Sequence, residues 1–199
     1  MIPEIDAALR QLLRSSPVTG QGCEIAFDAP TRDWAARRTV PTVDAYLYDL
    51  REDLGRRERG FTAVPDDTGV TRVWRQRPRY FRLSYLVTAW TNGVEDEHRL
   101  LAAALACLLR HETLPLSGSH GVLAAAGAVL PMTVAVPPDQ SRSLADIWSA
   151  LGGDLKPSLD VVVTAPMPVS VEIAAAPPVT ERLTVDARLR DPSGGPAGR

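Results

Sequence analysis

The chain has 199 residues, 45% of them hydrophobic, enough for one domain of ordinary size with a real core. Its formal net charge is -2, from 22 basic and 24 acidic residues, which leaves no basic surplus for nucleic acid or an anionic membrane. Every basic residue but Lys156 is Arg, a bias that fits either bidentate carboxylate pairing or a G+C-rich coding sequence.

The opening MIPEIDAALRQLLR is charged and amphipathic and lacks the apolar stretch of a signal peptide. Ile2, Ile5, Leu9, Leu12 and Leu13 fall at helical spacing, so a helix is predicted over 3–15, ended by Pro17 and Gly20. CEIAFDAP alternates Cys23, Ile25 and Phe27 against Glu24, Ala26 and Asp28, a strand closed by Pro30. A longer strand is predicted over 41–53, with Val43, Ala45 and Leu47 on one face and Asp44, Tyr46 and Tyr48 on the other. Residues 59–77 read as a hairpin around PDDTG.

YFRLSYLVTAWT puts Phe81, Leu83, Tyr85, Val87 and Ala89 on one face, with Leu86 and Trp90 opposite. A strand apolar on both faces belongs in the middle of a sheet. A helix over 93–111 follows, with Asn92 and Glu95 spaced as a capping box and Leu101, Ala104, Leu105 and Leu108 as its sheet-facing stripe. Its apolar run LLAAALACLL is about half the length that crosses a bilayer. Within that run Cys107 is a small buried hydrophobe rather than a disulfide partner of Cys23. Residues 113–130 carry little pattern beyond an alanine-rich stretch that could form a short helix.

PMTVAV (131–136) is a short strand, and 143–151 a helix with Ser143 as N-cap, a stripe of Leu144, Ile147, Trp148 and Leu151, and Gly152 as its end. An apolar strand follows over 157–166. Beyond it, 182–189 alternates Leu183, Val185, Ala187 and Leu189, and 191–199 is expected to be disordered. The whole is an α/β (α+β) protein with a mixed, largely antiparallel sheet flanked by helices. Residues 1–170 form the domain, and 171–199 a Pro/Gly-rich tail.

The chemical motifs resolve to structure. Asp67-Thr68-Gly69 has the letters of an aspartic-protease loop but sits in a hairpin turn. His111-Glu112 lacks the second zincin histidine, Pro115 standing there. GSHG (118–121) has the wrong spacing for a nucleophile elbow, and GGDLK (152–156) follows a helix where a phosphate loop follows a strand. Four successive residues in EDEH (95–98) point about 100° apart and cannot converge on one metal; Glu95 and Arg99 suit an i,i+4 pair. No catalytic, cofactor or metal set results. REDLGRRERG (51–60) reads equally as a solvated connection or as a protein contact built from Arg–carboxylate pairs.

Three stretches together resemble one family: EIAFDAPTRDWAARRTVPTVDAYLYDLREDLGRRERG, RPRYFRLSYLVTAWTNGVEDEHRLLAAALACLLRHETLP and ADIWSALGGDLKPSLDVVVTAP. The chain is similar, over about residues 1–170, to the amino-terminal domain of cap (tail-terminator) proteins of phage-tail-like contractile injection systems. Residues 113–135 and the tail depart from the pattern.

The resemblance implies a structural protein, without activity or cofactor, that forms a homo-hexameric ring. That ring ends growth of the inner tube protein and engages the last layer of sheath protein. No nucleic acid or membrane insertion is implied, and the setting is the cytoplasm, with release of the particle on lysis. On this view Arg51, Glu52, Asp53, Arg56, Arg57, Glu58 and Arg59 suit heterologous subunit contacts. Trp34, among Arg32, Arg37 and Arg38, is either an exposed interface anchor or a lid over the sheet. Segment 182–189 would add as an edge strand to sheath. The readings from other classes are a small enzyme with a site near His98 or His120, and a monomeric adaptor.

Overall fold

The computed structural model describes residues 1–16, 22–116, 121–137, 143–167 and 171–176. In chain order the elements are α1 (Ile2–Arg14), β1 (Glu24–Ala26), α2 (Arg32–Ala36), β2 (Thr42–Glu52), β3 (Phe61–Pro65), β4 (Thr71–Gln76) and β5 (Arg79–Trp90). They continue with α3 (Val94–Leu108), α4 (Val122–Ala125), β6 (Met132–Val134), α5 (Leu144–Ala150), β7 (Leu159–Met167) and β8 (Glu172–Ala174). Two compact units divide the chain: residues 1–60 with 77–169, and 61–76 with 170–199. Pro17, Gly20, the 182–189 alternation and the 191–199 tail lie outside the described residues.

The first unit is built on a five-stranded sheet in the order β1-β2-β5-β7-β6. Only β1 and β2 run parallel, joined by the short α2 crossover; the other pairs are antiparallel. The sheet is therefore mixed and largely antiparallel, as its alternating patterns suggest. β5 is its centre, paired with β2 from Thr42↔Trp90 to Glu52↔Phe81 and with β7 from Arg79↔Met167 to Val87↔Leu159. A bulge at Tyr48 interrupts the β2 register between Leu47 and Asp49.

One face of this sheet is the core. Val43, Ala45, Leu83, Tyr85, Val87, Ala89, Val161 and Val163 are buried there beneath Ile5, Leu9, Leu12 and Leu13 of α1 and Leu100, Ala104 and Leu108 of α3. Period-2 strands and a period-3.6 helix thus bury complementary stripes. Tyr85 stays in this apolar layer because its hydroxyl donates to Asp6 on α1 at 2.7 Å. Burial pushes both the Tyr85 phenol and the Asp6 carboxyl up. Cys107 is buried as expected, its thiol donating to the Leu12 carbonyl at 3.3 Å.

Several expectations about helix ends and phases are corrected. α3 begins at Val94 with Gly93 as N-cap and no side-chain cap bond, so Asn92 and Glu95 form no capping box. Thr91 makes the turn instead: its hydroxyl donates to the Gly93 carbonyl, and its N–H donates to Glu97. Arg99 pairs with Asp96, three residues back, rather than with Glu95. The central buried stripe of α3 is Leu100, Ala104, Cys107 and Leu108, with Leu101 and Leu105 only half-buried at its margin. A run apolar on every side does not fix the phase of a helix.

Ser143 flanks α5 without a side-chain cap bond, and of the expected stripe only Trp148 is buried. Gly152 ends this helix at φ +67°, a conformation that favours glycine. In the stretch that carried little pattern, α4 packs through Leu123. Its first N–H groups, of Leu123 and Ala124, donate to the Glu4 carboxylate of α1 at 3.2 and 2.9 Å. Gly121 permits that approach, because a Cβ there would collide with the same carboxylate.

The second unit is a three-stranded sheet in the order β3-β4-β8. The predicted hairpin is its β3–β4 pair. The turn is held by Asp66, whose carboxylate accepts from the N–H groups of Thr68 and Val70 and from Arg72. The Thr68 hydroxyl also donates to it, and that bond first, then the one from Arg72, hold the Asp66 carboxyl well below its usual range. Asp67 is exposed, and the segment is a turn.

Candidate functional site

The charged segment after β2 folds on itself. Glu52 closes β2 and is gripped by Arg57, whose Nε and Nη2 donate to its two carboxylate oxygens at 2.9 and 3.1 Å. Arg79 approaches the same carboxylate at 3.6 Å. Asp53 caps a single 3-10 turn over Leu54–Arg56, accepting the Gly55 N–H at 3.1 Å. Arg56 lies 3.7 Å from Asp53 and its guanidinium 5.8 Å from the centre of the Tyr80 ring. Arg51 pairs with Asp49 at 3.2 Å, and Glu58 pairs with Arg77. Among the described residues Arg59 alone of this run forms no ion pair. The expected Arg–carboxylate pairs exist, then, and they are intramolecular.

The other predicted patch lies at the opposite end of β2, on the sheet face away from the core. Thr31 caps α2, its hydroxyl accepting the Trp34 N–H at 3.2 Å. That short helix turns Trp34 inward. Trp34 is 6% exposed, so the exposed-anchor reading is corrected to a lid over the sheet. Its indole N–H donates to Asp28 at 3.1 Å, and its ring meets Trp90 edge-on at 5.5 Å. Trp90 in turn packs against Trp148 of α5 at 6.3 Å.

Cations cap this aromatic row. The Arg38 guanidinium sits 4.7 Å from the Trp34 ring centre, and the Lys156 ammonium 3.9 Å from Trp90. Lys156 also donates to Glu97 and to the Ala89 carbonyl, both at 2.8 Å. Arg37, next to Arg38, is exposed.

Behind the row lies a carboxyl that the strand pattern did not single out. Asp44 on β2 is fully buried. One of its oxygens accepts the Asp28 N–H at 3.1 Å, and the other has no partner. Burial first, and then the charge of Asp28, push Asp44 up to about 8, against the Asp28 N–H and Arg38. The alternation that placed Asp44 beside Tyr46 and Tyr48 gave the right face but no sign that α2 covers it. Above this face, Arg38, Thr39, Val40, Pro41, Trp90 and Asn92 line a cleft of about 120 Å³.

Nothing in either patch is arranged for catalysis. Among the described residues no group of three or more His, Cys, Asp or Glu could hold a metal ion. His98 is exposed on α3, and His120 lies outside the described residues. No helix among the described residues is long and apolar enough to cross a membrane.

The family model of the Pvc16 N-terminal domain matches residues 4–182. The chain belongs to the Pvc16 N-terminal domain family. Its fold is similar to the sheath/tube terminator of PVC, an extracellular contractile injection system, solved in the extended state. The TM-score is 0.73 at 22% identity, over 96% of this chain and 65% of that one. It is also similar to the tube-terminating cap of the anti-feeding prophage, with a TM-score of 0.64 at 24% identity, over 91% of this chain and 60% of that one. This Pvc16 N-terminal domain protein thus spans less than two thirds of the length of either relative. Both relatives are structural components by description, not enzymes. No curated protein matches the sequence.

Proposed function

We propose that the chain is a terminator, or cap, subunit of a contractile injection particle, a structural protein and not an enzyme. The observation that carries this reading is the family match over 4–182, joined to a terminator-like fold across 96% of the chain. In the finer form of the proposal, six copies close a ring that ends inner-tube growth and joins the last tube and sheath layers. Its partners are itself, the inner tube protein and the sheath protein, and it works as part of a particle assembled in the cytoplasm and released on lysis.

A ring of identical subunits uses heterologous contacts, each pairing two different patches. Arg59 and its neighbours 51–58, with Arg37 and Arg38 above Trp34, are the patches proposed for these contacts. Residues 1–170 would form the cap domain, and the segment from 171, with its 182–189 alternation, would reach the sheath.

The test is native mass at micromolar concentration together with negative-stain images of the chain co-expressed with tube and sheath proteins. Sixfold rings or capped tube ends are expected; a strict monomer without affinity for tube or sheath overturns the reading. Deleting 177–199 should release the sheath while leaving the ring intact.

A further inference from the structure

We propose that the cleft between residues 38–41 and the Trp90–Asn92 corner is a carboxylate-receiving pocket, which takes an Asp or Glu side chain of a neighbouring protein subunit onto Arg38. The proposal rests on the reading of the chain as an assembling subunit and adds to it the chemistry of one contact.

Three observations point the same way. First, Arg38 is under-used. A guanidinium has five N–H donors, and among the described residues the only one Arg38 uses is on Nη1, in an ion pair with Glu24 at 3.3 Å. That is long for a charge-assisted bond. Its Nε is shielded from solvent and has no partner among the described residues, so the donors left for an incoming group are those of the two Nη atoms. Arg57, forked onto Glu52 at 2.9 and 3.1 Å, shows the geometry that Arg38 lacks.

Second, the guanidinium is already oriented by the Trp34 ring beneath it. A planar fork held in place loses little freedom on accepting a carboxylate. Third, the pocket suits that group. Its volume of about 120 Å³ admits a carboxylate and the methylene behind it. Val40, Pro41 and Trp90 give apolar walls, and Thr39 and Asn92 offer hydroxyl and amide donors.

The lining contains no Asp or Glu. Of the carboxyls near Arg38, Glu24 takes Nη1 alone in a half-exposed ion pair, and Asp28 accepts from Trp34. Asp44, pushed up by burial, adds little negative charge beside the guanidinium, whose ion pair among the described residues is the one with half-exposed Glu24. Arg37, exposed beside it, adds to the positive potential.

Two sources could supply the side chain, a second copy of this chain or a tube or sheath subunit, and the experiment separates them. The full chain carries the photo-crosslinker p-benzoylphenylalanine at Asn92, an exposed rim position. It is irradiated alone at micromolar concentration and on particles formed with co-expressed tube and sheath proteins, and the joined peptides are sequenced. A peptide with Asp or Glu within about two residues of the junction supports the pocket, and its origin names the source. Capped particles that give no crosslink at Asn92, or only crosslinks to segments without an acid, overturn it.

In parallel, Arg38→Lys and Arg38→Gln should lower capping about tenfold or more while both variants stay folded, the urea midpoint falling only by what the lost Trp34 and Glu24 contacts account for. Unchanged capping in both overturns the pocket. If the chain caps nothing, the cap reading fails separately, and the pocket is still read directly. N-acetylglutamate titrated into the ¹⁵N-labelled chain should shift the Arg38 Nε–H resonance, and N-acetylglutamine should not; no shift, or equal shifts from both, overturns the pocket.

Discussion

The two ends of β2 hold the same chemistry in opposite states. At its C-terminal end Arg57 is forked onto Glu52, with Arg79 beside it, and Asp53 and Glu58 have their own arginines. At its N-terminal end Arg38 lies over Trp34 with one long bond, above a buried Asp44 that also lacks a partner on one oxygen. Charge density alone marks the first region as the contact surface. The second end is the contact we propose, because Arg38 keeps donors free beyond its single ion pair with Glu24, and a pre-oriented donor gains a partner without first losing one. The 51–58 run orders its own loop through these pairs and leaves Arg59 as the cation it presents to a neighbour.

The largest effect that can break this contrast is expected at Trp34. Trp34→Ala empties the space between α2 and Trp90 and leaves Asp28 without its indole donor. A loss of about 3–5 kcal/mol is expected in urea unfolding. A near-wild-type midpoint would mean that α2 is not held through this ring.

Asp44 sharpens the contrast through pH. Its folded value lies near 8, above the ordinary carboxyl value of 3.8. Between these two the folded chain holds the extra proton, so stability falls as pH rises from about 4 to about 8 and levels off beyond. The slope approaches 1.4 kcal/mol per pH unit at most, and the whole effect is on the order of a few kcal/mol. Urea midpoints at pH 5, 6, 7 and 8 should decline in the wild type and flatten in Asp44→Asn. Parallel profiles would remove Asp44 as the titrating group.

At the other end of β2 the effects are small. Arg57→Gln should cost roughly 0.5–1 kcal/mol, and less in high salt, since half-exposed pairs are screened. A loss of several kcal/mol would show that the loop is a structural keystone. Arg59→Ala should leave the urea midpoint unchanged, and any loss of capping it causes would then belong to a partner contact.

Much of the frame was legible. Alternation marked β2 and β5, an apolar run marked β7, and β5 read as the central strand because Leu86 is apolar on the face opposite Leu83 and Tyr85. Helical spacing marked α1, and PDDTG marked the hairpin. What escaped was decided between distant residues. α2 is five residues long and carries no period. Its tryptophan is surrounded in sequence by Arg32, Arg37 and Arg38, which suggests exposure, yet its partners are Asp28 and Trp90. The capping box failed because Thr91, one residue earlier, closes the turn first. In the candidate site, the charge run was visible, but the pairing within it was not. Composition does not distinguish an Arg that meets Glu52 of its own chain from one that meets another subunit.

The position of β7 has a consequence for how the molecule is made. The strand lies between β5 and β6, yet it is synthesised last of the five. A chain leaving the ribosome cannot close the sheet until residues up to Met167 have emerged; until then the central strand keeps one unpaired edge. The pairing Leu83↔Val163 spans 80 residues, so closure is a long-range and comparatively slow event. A chain that stops before Leu159 should aggregate or be degraded rather than accumulate as a folded fragment. Unfinished copies would then be removed before they could enter the proposed assembly.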